Sequence, residues 1–587
     1  MFLRKSNSFP ACFSRISLDG KQEPLYNKKN GTGKLVFTVK IKVLLWTLTA
    51  ALTLGTLTAC GNSALTDAPF TSSASVTTVQ ESAPAPSLGA DEYRATVTDT
   101  VGGREFSAMP AKDGYCFYLP GVNDLSALTF NCWLGEEVSA TVHGQTFPES
   151  VRFALDASAT QLLKITYTQA DGSFVTERYT FCASSAGILS LSVDESLGTV
   201  DAMNRDPDHE TYCYGSLTYL AEDEGYDFSS YFSLKGRGNA TWDDEKKGYA
   251  LKLYESDSYT DKNKLSISGM GRSANWALVA NHRDRTLIRN ALAQTLAAKL
   301  GMENAVRFVF VDLYINGEYR GLYNLMQKVE SGAEQVNITE AKSDSLDGGY
   351  LLEFDNYSDT PQIKLQQSGM RVTVNSPADL ESYTAIERLL NEAEAAIFDP
   401  YGYNWETGLY WDHYIDAKSF AILWMVREYT MDNDATVNFR FYYDPADGKF
   451  HGGPVWDFDN SMARNTGIFA EPETALIENG YRNANCWLRK LMEFDAFREE
   501  IVRLYDEHSE LFDSSAPDSV YALAYRYADG LSYSIGKNFT VWEKQLANKS
   551  WNTPDELTYE GHFAILTDFL YRRNAFWESY IPALTDR

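Results

Sequence analysis

Two acidic clusters between Asp432 and Asn460 hold the residues best suited to chemistry. The first reads Met-Asp-Asn-Asp-Ala-Thr-Val-Asn over 431–438, and the second reads Gly-Gly-Pro-Val-Trp-Asp-Phe-Asp-Asn over 452–460. Between them, two apolar-alternating runs flank Asp447-Gly448, the pattern of a β-hairpin. Phosphoryl transfer needs this inventory: one carboxylate to orient a hydroxyl, and an amide with a further carboxylate to hold Mg²⁺ on a nucleotide. Asp432 and Asp434 are the candidates for the first task, and Asn438, Asp457 and Asp459 for the second. Carboxylates on alternate residues of an extended segment point to opposite faces. Without a local bend only one of Asp457 and Asp459 therefore faces a given ion. Asp457 is the first choice, and Asp459 reaches a second ion or the substrate.

Other elements must bring these loops together. Trp411–Tyr429 reads as a helix running straight into the first cluster. Upstream, Ser233–Trp242 is a Gly-containing turn and Gly248–Tyr254 is the strand after it. Asp284–Leu300 has the helical stripe Ile288, Leu292, Leu296 and Leu300, and Gly301 stops it. Val306–Ile315 is apolar on both faces, as a central strand is. Asn316-Gly317 turns the chain, Tyr319–Met326 returns as the next strand, and Gln327–Glu330 crosses over to the helical part. At the first turn, Arg237 and the backbone at Gly238 can approach an anion because no Cβ intervenes. Taken by itself, Arg237-Gly238-Asn239 is explained better by an ordinary hairpin turn. Lys252 is a cation for phosphate oxygens or a solvated edge lysine, with Lys246 and Lys247 as competitors.

Glycine turn, lysine strand, helix, strand pair, crossover and two acidic loops follow one another in the order of a protein-kinase domain. The chain also resembles the CotH kinase family. The resemblance rests on Arg237-Gly238-Asn239-Ala240-Thr241-Trp242 with Lys246-Lys247-Gly248-Tyr249, on DRTLIRN at 284–290, and on LYINGEYRGLYNLMQKVE at 313–330. It continues through Gly348-Gly349-Tyr350-Leu351-Leu352-Glu353 and PVWDFD at 454–459, and spans about 185–585. It implies an α+β, atypical two-lobed kinase-like domain that uses ATP and Mg²⁺. Arg237, Gly238 and Lys252 would then contact the nucleotide, and Asn438, Asp457 and Asp459 the metal. Asp432 or Asp434 would serve as the catalytic carboxylate. A kinase catalytic loop spaced Asp-Leu-x-x-x-Asn would put its aspartate at Asn433, so the register is ambiguous; Asp432 fits the family's Asp-x-Asp pattern better, and Asp434 is the reserve. Glu330 and Glu353 remain equal candidates for the acid of the smaller lobe.

The rest of the chain sets the context. Net charge is −28 over 587 residues, which excludes a nucleic-acid backbone as main partner. Lys34, Lys40 and Lys42 precede the apolar run Val43–Ala59, which ends Leu57-Thr58-Ala59-Cys60. That is the layout of a secretory signal, and the ending resembles a bacterial lipobox with Cys60 as the lipidated residue. Residues 1–60 are thus expected to be a leader and 61–90, rich in Ser, Thr, Ala and Pro, a linker. Period-two alternation over 91–184 predicts a small Ig-like β-sandwich. With Cys12 and Cys60 set aside, Cys116, Cys132, Cys182, Cys213 and Cys486 remain, with no C-x-x-C spacing, and a pair among the first three is possible. No Gly-x-Ser-x-Gly elbow is present, so hydrolase readings lack a nucleophile motif. The expectation is a kinase lipid-anchored at the extracellular face of a bacterial membrane, acting on hydroxyls of exported or cell-surface proteins. The alternatives are a catalytically inactive kinase-fold binding protein or adhesin, and transfer of a nucleotidyl group.

Overall fold

Period-two burial dominates the first half of the chain and helical periodicity the second. The computed structural model describes residues 14–16, 22–24 and 93–586, apart from 101–102, 112–113, 123–126, 135–137, 143–144, 149, 156–161, 224, 356–361 and 548–552. Contacts divide the chain into Met1–Ala64 and Leu65–Arg587. In the first unit Ser14–Ile16 pairs antiparallel with Gln22–Pro24. The rest of the expected leader, Cys60 and the 61–90 linker lie outside the described residues.

In the second unit, residues 93–184 form a four-stranded and a six-stranded sheet. The six-stranded one contains β1 (Gly114–Pro120) and β2 (Phe174–Ser184), which run parallel. Alternation along Leu162–Thr168 turns Leu163, Ile165 and Tyr167 inward, where they meet Val97, Phe130 and Val151 of the four-stranded sheet in one buried cluster.

A closed barrel follows, made of β3 (Gly187–Val193), β4 (Tyr212–Leu220), β5 (Phe228–Arg237), β6 (Gly248–Tyr254), β7 (Asn275–Val279), β8 (Phe308–Ile315) and β9 (Glu318–Gln327). Its order is β3-β4-β5-β6-β7-β9-β8, with β8 closing in parallel onto β3. Leu234, Leu251, Leu253, Trp276 and Leu325 belong to the core inside it. Between β8 and β9 both Asn316 (φ 53°) and Gly317 (φ 76°) are left-handed, the conformation a two-residue hairpin turn demands.

Helix α1 (Arg289–Lys299) lies between β7 and β8 in sequence, but its Leu292 and Leu296 belong to a second and larger core. The expected helix from Asp284 thus starts five residues late. The Asp284 carboxylate accepts from the backbone N–H of Thr286 (2.9 Å) and of Arg289 (2.8 Å), so the chain turns there before the helix begins. The larger core also covers a five-stranded sheet, β10 (Tyr350–Phe354), β11 (Gln362–Lys364), β12 (Arg371–Ser376), β13 (Phe439–Asp444) and β14 (Lys449–Gly452), in the order β11-β12-β10-β13-β14. Helices α2 (Thr384–Phe398) and α3 (Ala417–Thr430), and late in the chain α4 (Ser532–Val541) and α5 (Tyr559–Tyr580), complete a mixed α+β architecture. The helix expected over 411–429 is broken, because Asp416 caps a fresh start at α3 through Ser419 N–H (2.8 Å).

Candidate functional site

Helix α3 is buried on all sides from Phe420 onward, and it ends at left-handed Met431 (φ 48°). The first acidic loop starts there. Backbone bonds tie it to the second loop, with Met462 N–H donating to Thr430 O (2.7 Å) and Asn433 N–H to Asn460 O (3.3 Å). Asp432 is 1% exposed and pairs with buried Arg427 at 2.5 Å, while its other oxygen accepts from Asp434 N–H (3.1 Å). The Arg427 guanidinium lies 5.6 Å from the Phe458 ring, so the same cation braces both loops. The Asp434 side chain is 42% exposed and pairs with Arg482.

In the second loop, Asp457 takes φ +67°. That left-handed residue supplies the bend an extended Asp-Phe-Asp lacks, and the two carboxyls repel each other. Asp459 is pushed up to about 7, first by burial and then by the Asp457 charge. Asp457 is exposed, and the protein atoms around it still raise the pKa of its carboxyl. Arg237, Arg440 and Arg427 pull that pKa back down while Asp434 repels it. Four residues chosen from sequence, Asp432, Asp434, Asp457 and Asp459, thus share one field, and Arg237 enters it as well.

Beside Asp457 lies a group that sequence reasoning missed. Trp456 carries the Arg237 guanidinium 4.9 Å from its ring centre and that of Arg440 at 5.1 Å. Arg440 is in turn held by Glu353 (3.3 Å), which also accepts from Asn375 Nδ2 (2.9 Å). This separates the two glutamates left equal above. Glu353 holds Arg440 beside Trp456, whereas Glu330 sits at the crossover, accepting from Asn275 Nδ2 (2.9 Å) and pairing with Lys328 (3.3 Å).

Helix α1 positions the second loop through side chains a few residues apart. Asn290 Oδ1 accepts from Phe458 N–H (2.7 Å), Gln294 Nε2 donates to Val455 O (2.9 Å), and Arg289 donates to Ser461 O (3.0 Å) and Met462 O (3.2 Å). The DRTLIRN stretch therefore serves as a clamp. Arg289 is itself fixed by buried Asp284.

Lys252 stands apart from this group, and Gly238 and Asn438 are placed by their backbone. Lys252 falls between inward-facing Leu251 and Leu253, which puts it on the outer face of β6, with its ammonium 5.5 Å from the Tyr254 ring. The register pairs it with Ser233, four residues along from the Arg237–Gly248 pair. At the rise of a β-strand that is about 13 Å away, so the structure does not bring Lys252 to the acids. Of its competitors, Lys246 is buried and donates to Leu322 O (2.6 Å) and Asn538 Oδ1 (2.9 Å), and Lys247 lies over Trp242. Gly238 has φ +118°, a conformation only glycine adopts freely, just past the end of β5. Asn438 donates its backbone N–H to Asp434 O (3.0 Å) and leads into β13.

Among the described residues, no three carboxylate, imidazole or thiolate groups converge as a complete metal cage. Mg²⁺ in phosphoryl-transfer sites takes only one or two protein carboxylates and completes its shell with water and phosphate. The crowded Asp457–Asp459 pair fits that smaller demand.

A family model described as CotH kinase protein matches residues 234–577, which contain both acidic loops, the α1 clamp and Arg237. No curated protein matches the chain.

Proposed function

Because the chain belongs to the CotH kinase protein family, we propose that it transfers the γ-phosphoryl group of ATP to hydroxyl side chains of exported proteins. The observation that carries this reading is that backbone bonds join the two acidic loops, Met462 N–H to Thr430 O (2.7 Å) and Asn433 N–H to Asn460 O (3.3 Å), while Trp456 next to Asp457 carries the Arg237 guanidinium at 4.9 Å. On this reading the barrel is the smaller lobe and the helical part with the five-stranded sheet the larger, with a β-sandwich over 91–184 before them. Asp457 and Asp459 are the carboxylates that hold Mg²⁺, with Asn438 as the further ligand. When bound, the ion would supply neutralising charge on the nucleotide phosphates.

The chain's own groups do the rest. Arg237, held over the Trp456 ring, presents its charge beside Asp457 where phosphate oxygens enter. Asp434 reaches solvent and accepts the hydrogen bond of an incoming hydroxyl, orienting it for attack. Asp432 is too deeply buried to meet a substrate and acts as a positioning residue through Arg427. Of the two catalytic candidates, exposure therefore favours Asp434.

Export is supported by the basic and apolar leader pattern and by Leu57-Thr58-Ala59-Cys60. We accordingly place the protein on the outer face of the bacterial membrane, anchored through lipid on Cys60. The competing reading, nucleotide binding without transfer, draws on the pairing of Asp434 with Arg482. Titrating MgATP into wild type and Arg482→Ala tests it. Freeing Asp434 should leave affinity nearly unchanged, and transfer should persist or rise. Absence of transfer in both proteins, with binding intact, would favour the binding protein.

A further inference from the structure

Two cysteines remote from the acidic loops lie close enough to bond. Cys116 on β1 and Cys182 on β2 occupy neighbouring parallel strands whose register pairs Cys116 with Thr180 and Cys182 with Tyr118. Alternation puts both side chains on one face, and their sulfurs are 2.9 Å apart. A disulfide needs about 2.05 Å, so the sulfurs have roughly 1 Å to close, and because the cysteines lie two residues out of register the strands must shift with them. The other described cysteines sit elsewhere. Cys132 Sγ lies 3.6 Å from Tyr167 OH in the core of the two N-terminal sheets, Cys213 is in the barrel core, and Cys486 is buried in the helical core.

We propose that Cys116 and Cys182 form a thiol–disulfide exchange site that locks β1 to β2 where they meet the barrel and helix α4. The surroundings favour exchange starting at one sulfur. Cys182 is half-buried, whereas Cys116 is buried with Tyr118, Ile188 and Tyr314. Lys537 on α4 donates to Ala183 O (2.6 Å) and Tyr314 OH (3.1 Å) and pairs with Asp312 (2.7 Å), which places an ammonium beside Cys182. The bond to Cys116, and then that cation, hold the Cys182 thiol below its ordinary range, while Cys116 is pushed up by the same bond and by burial.

The co-reactant is an external disulfide. Cys182 thiolate attacks one of its sulfurs, forming a mixed disulfide and releasing one thiolate, which takes up a proton. Cys116 then loses its proton and attacks Cys182 Sγ, releasing the second thiol. Two protein thiols are oxidised, and one external disulfide is reduced to two thiols.

The test equilibrates the full chain with oxidised glutathione, quenches with acid, alkylates and digests without reductant. The Cys116 and Cys182 peptides are expected joined and to separate on reduction, with Cys132, Cys213 and Cys486 recovered unlinked. In Cys116→Ser, Cys182 is expected to retain glutathione. In Cys182→Ser, Cys116 is expected to stay a free thiol. Separate alkylation of Cys116 and Cys182 in the wild type, or linkage of either to another cysteine, would overturn the proposal. Glutathione on Cys116 but not on Cys182 in the single variants would overturn the order of attack.

Discussion

The two aspartates of the first loop look alike in sequence but occupy opposite environments. Asp432 is sealed with Arg427, and Asp434 faces solvent with Arg482. Asp434→Asn is expected to cut the transfer rate by about 100-fold or more with little change in melting, since a partly exposed ion pair adds about 0–1 kcal/mol. Asp432→Asn leaves Arg427 buried without its charge partner and is expected to cost about 3–5 kcal/mol in denaturant unfolding. If the two variants showed the opposite pattern, the roles would have to be exchanged. Asp459 makes a pH-dependent prediction. Its carboxyl is raised from 3.8 to about 7 in the folded chain. The folded state thus keeps a proton that the unfolded chain gives up near pH 4, and this contribution to stability is lost as pH rises through about 7. A divalent cation takes the proton's place. The gain in melting temperature on adding Mg²⁺ is therefore expected to be larger at pH 8 than at pH 6, and this difference should vanish in Asp459→Asn. Equal gains at both pH values in the wild type would count against Asp459 as a ligand.

The acids were legible as a motif, but the elements that hold them were only partly so. A helix before the first loop and the strand order around Asn316-Gly317 followed from periodicity and turn chemistry. The true starts of α1 and α3 did not, because Asp284 and Asp416 capture backbone N–H groups that a periodicity reading assigns to a continuing helix. The environment of Lys252 was within reach through strand parity, as Leu251 and Leu253 on either side must face the core. The Trp456–Arg440–Glu353 arrangement was hidden because Arg440 and Glu353 are 87 residues apart, and only strand pairing of β13 with β10 places them opposite each other. The α1 clamp can be tested at this scale. Asn290→Ala leaves the Phe458 N–H without its acceptor, which is expected to cost about 1–3 kcal/mol and to slow transfer at least tenfold by loosening Asp457 and Asp459. A melting loss without a rate loss would show that the clamp stabilises the loop without positioning it.

At the scale of the whole molecule, the N-terminal sheets, the barrel and α4 meet at one polar seam. Asp312 is fully buried, pairs with Lys537 (2.7 Å), and accepts from Tyr319 OH (2.7 Å) and Ser534 Oγ (2.9 Å). Lys537→Met leaves that carboxylate without its ammonium and is expected to destabilise by about 3–5 kcal/mol, read by denaturant unfolding. A near-neutral outcome would mean that the two hydroxyls alone suffice. The seam was not legible in sequence, because its members come from distant parts of the chain and none belongs to a motif. The net charge of −28 directs the search for acceptors toward proteins. Phosphoryl transfer is expected to depend on the second acidic loop. Its most direct test incubates the protein and an acceptor mixture of exported proteins with Mg²⁺ and ATP marked at either the γ- or the α-phosphate, using wild type and Asp457→Ala. Label is expected from γ-marked ATP only, and lost in Asp457→Ala while the fold is retained. Label from α-marked ATP, or undiminished γ-label in Asp457→Ala, would contradict this expectation.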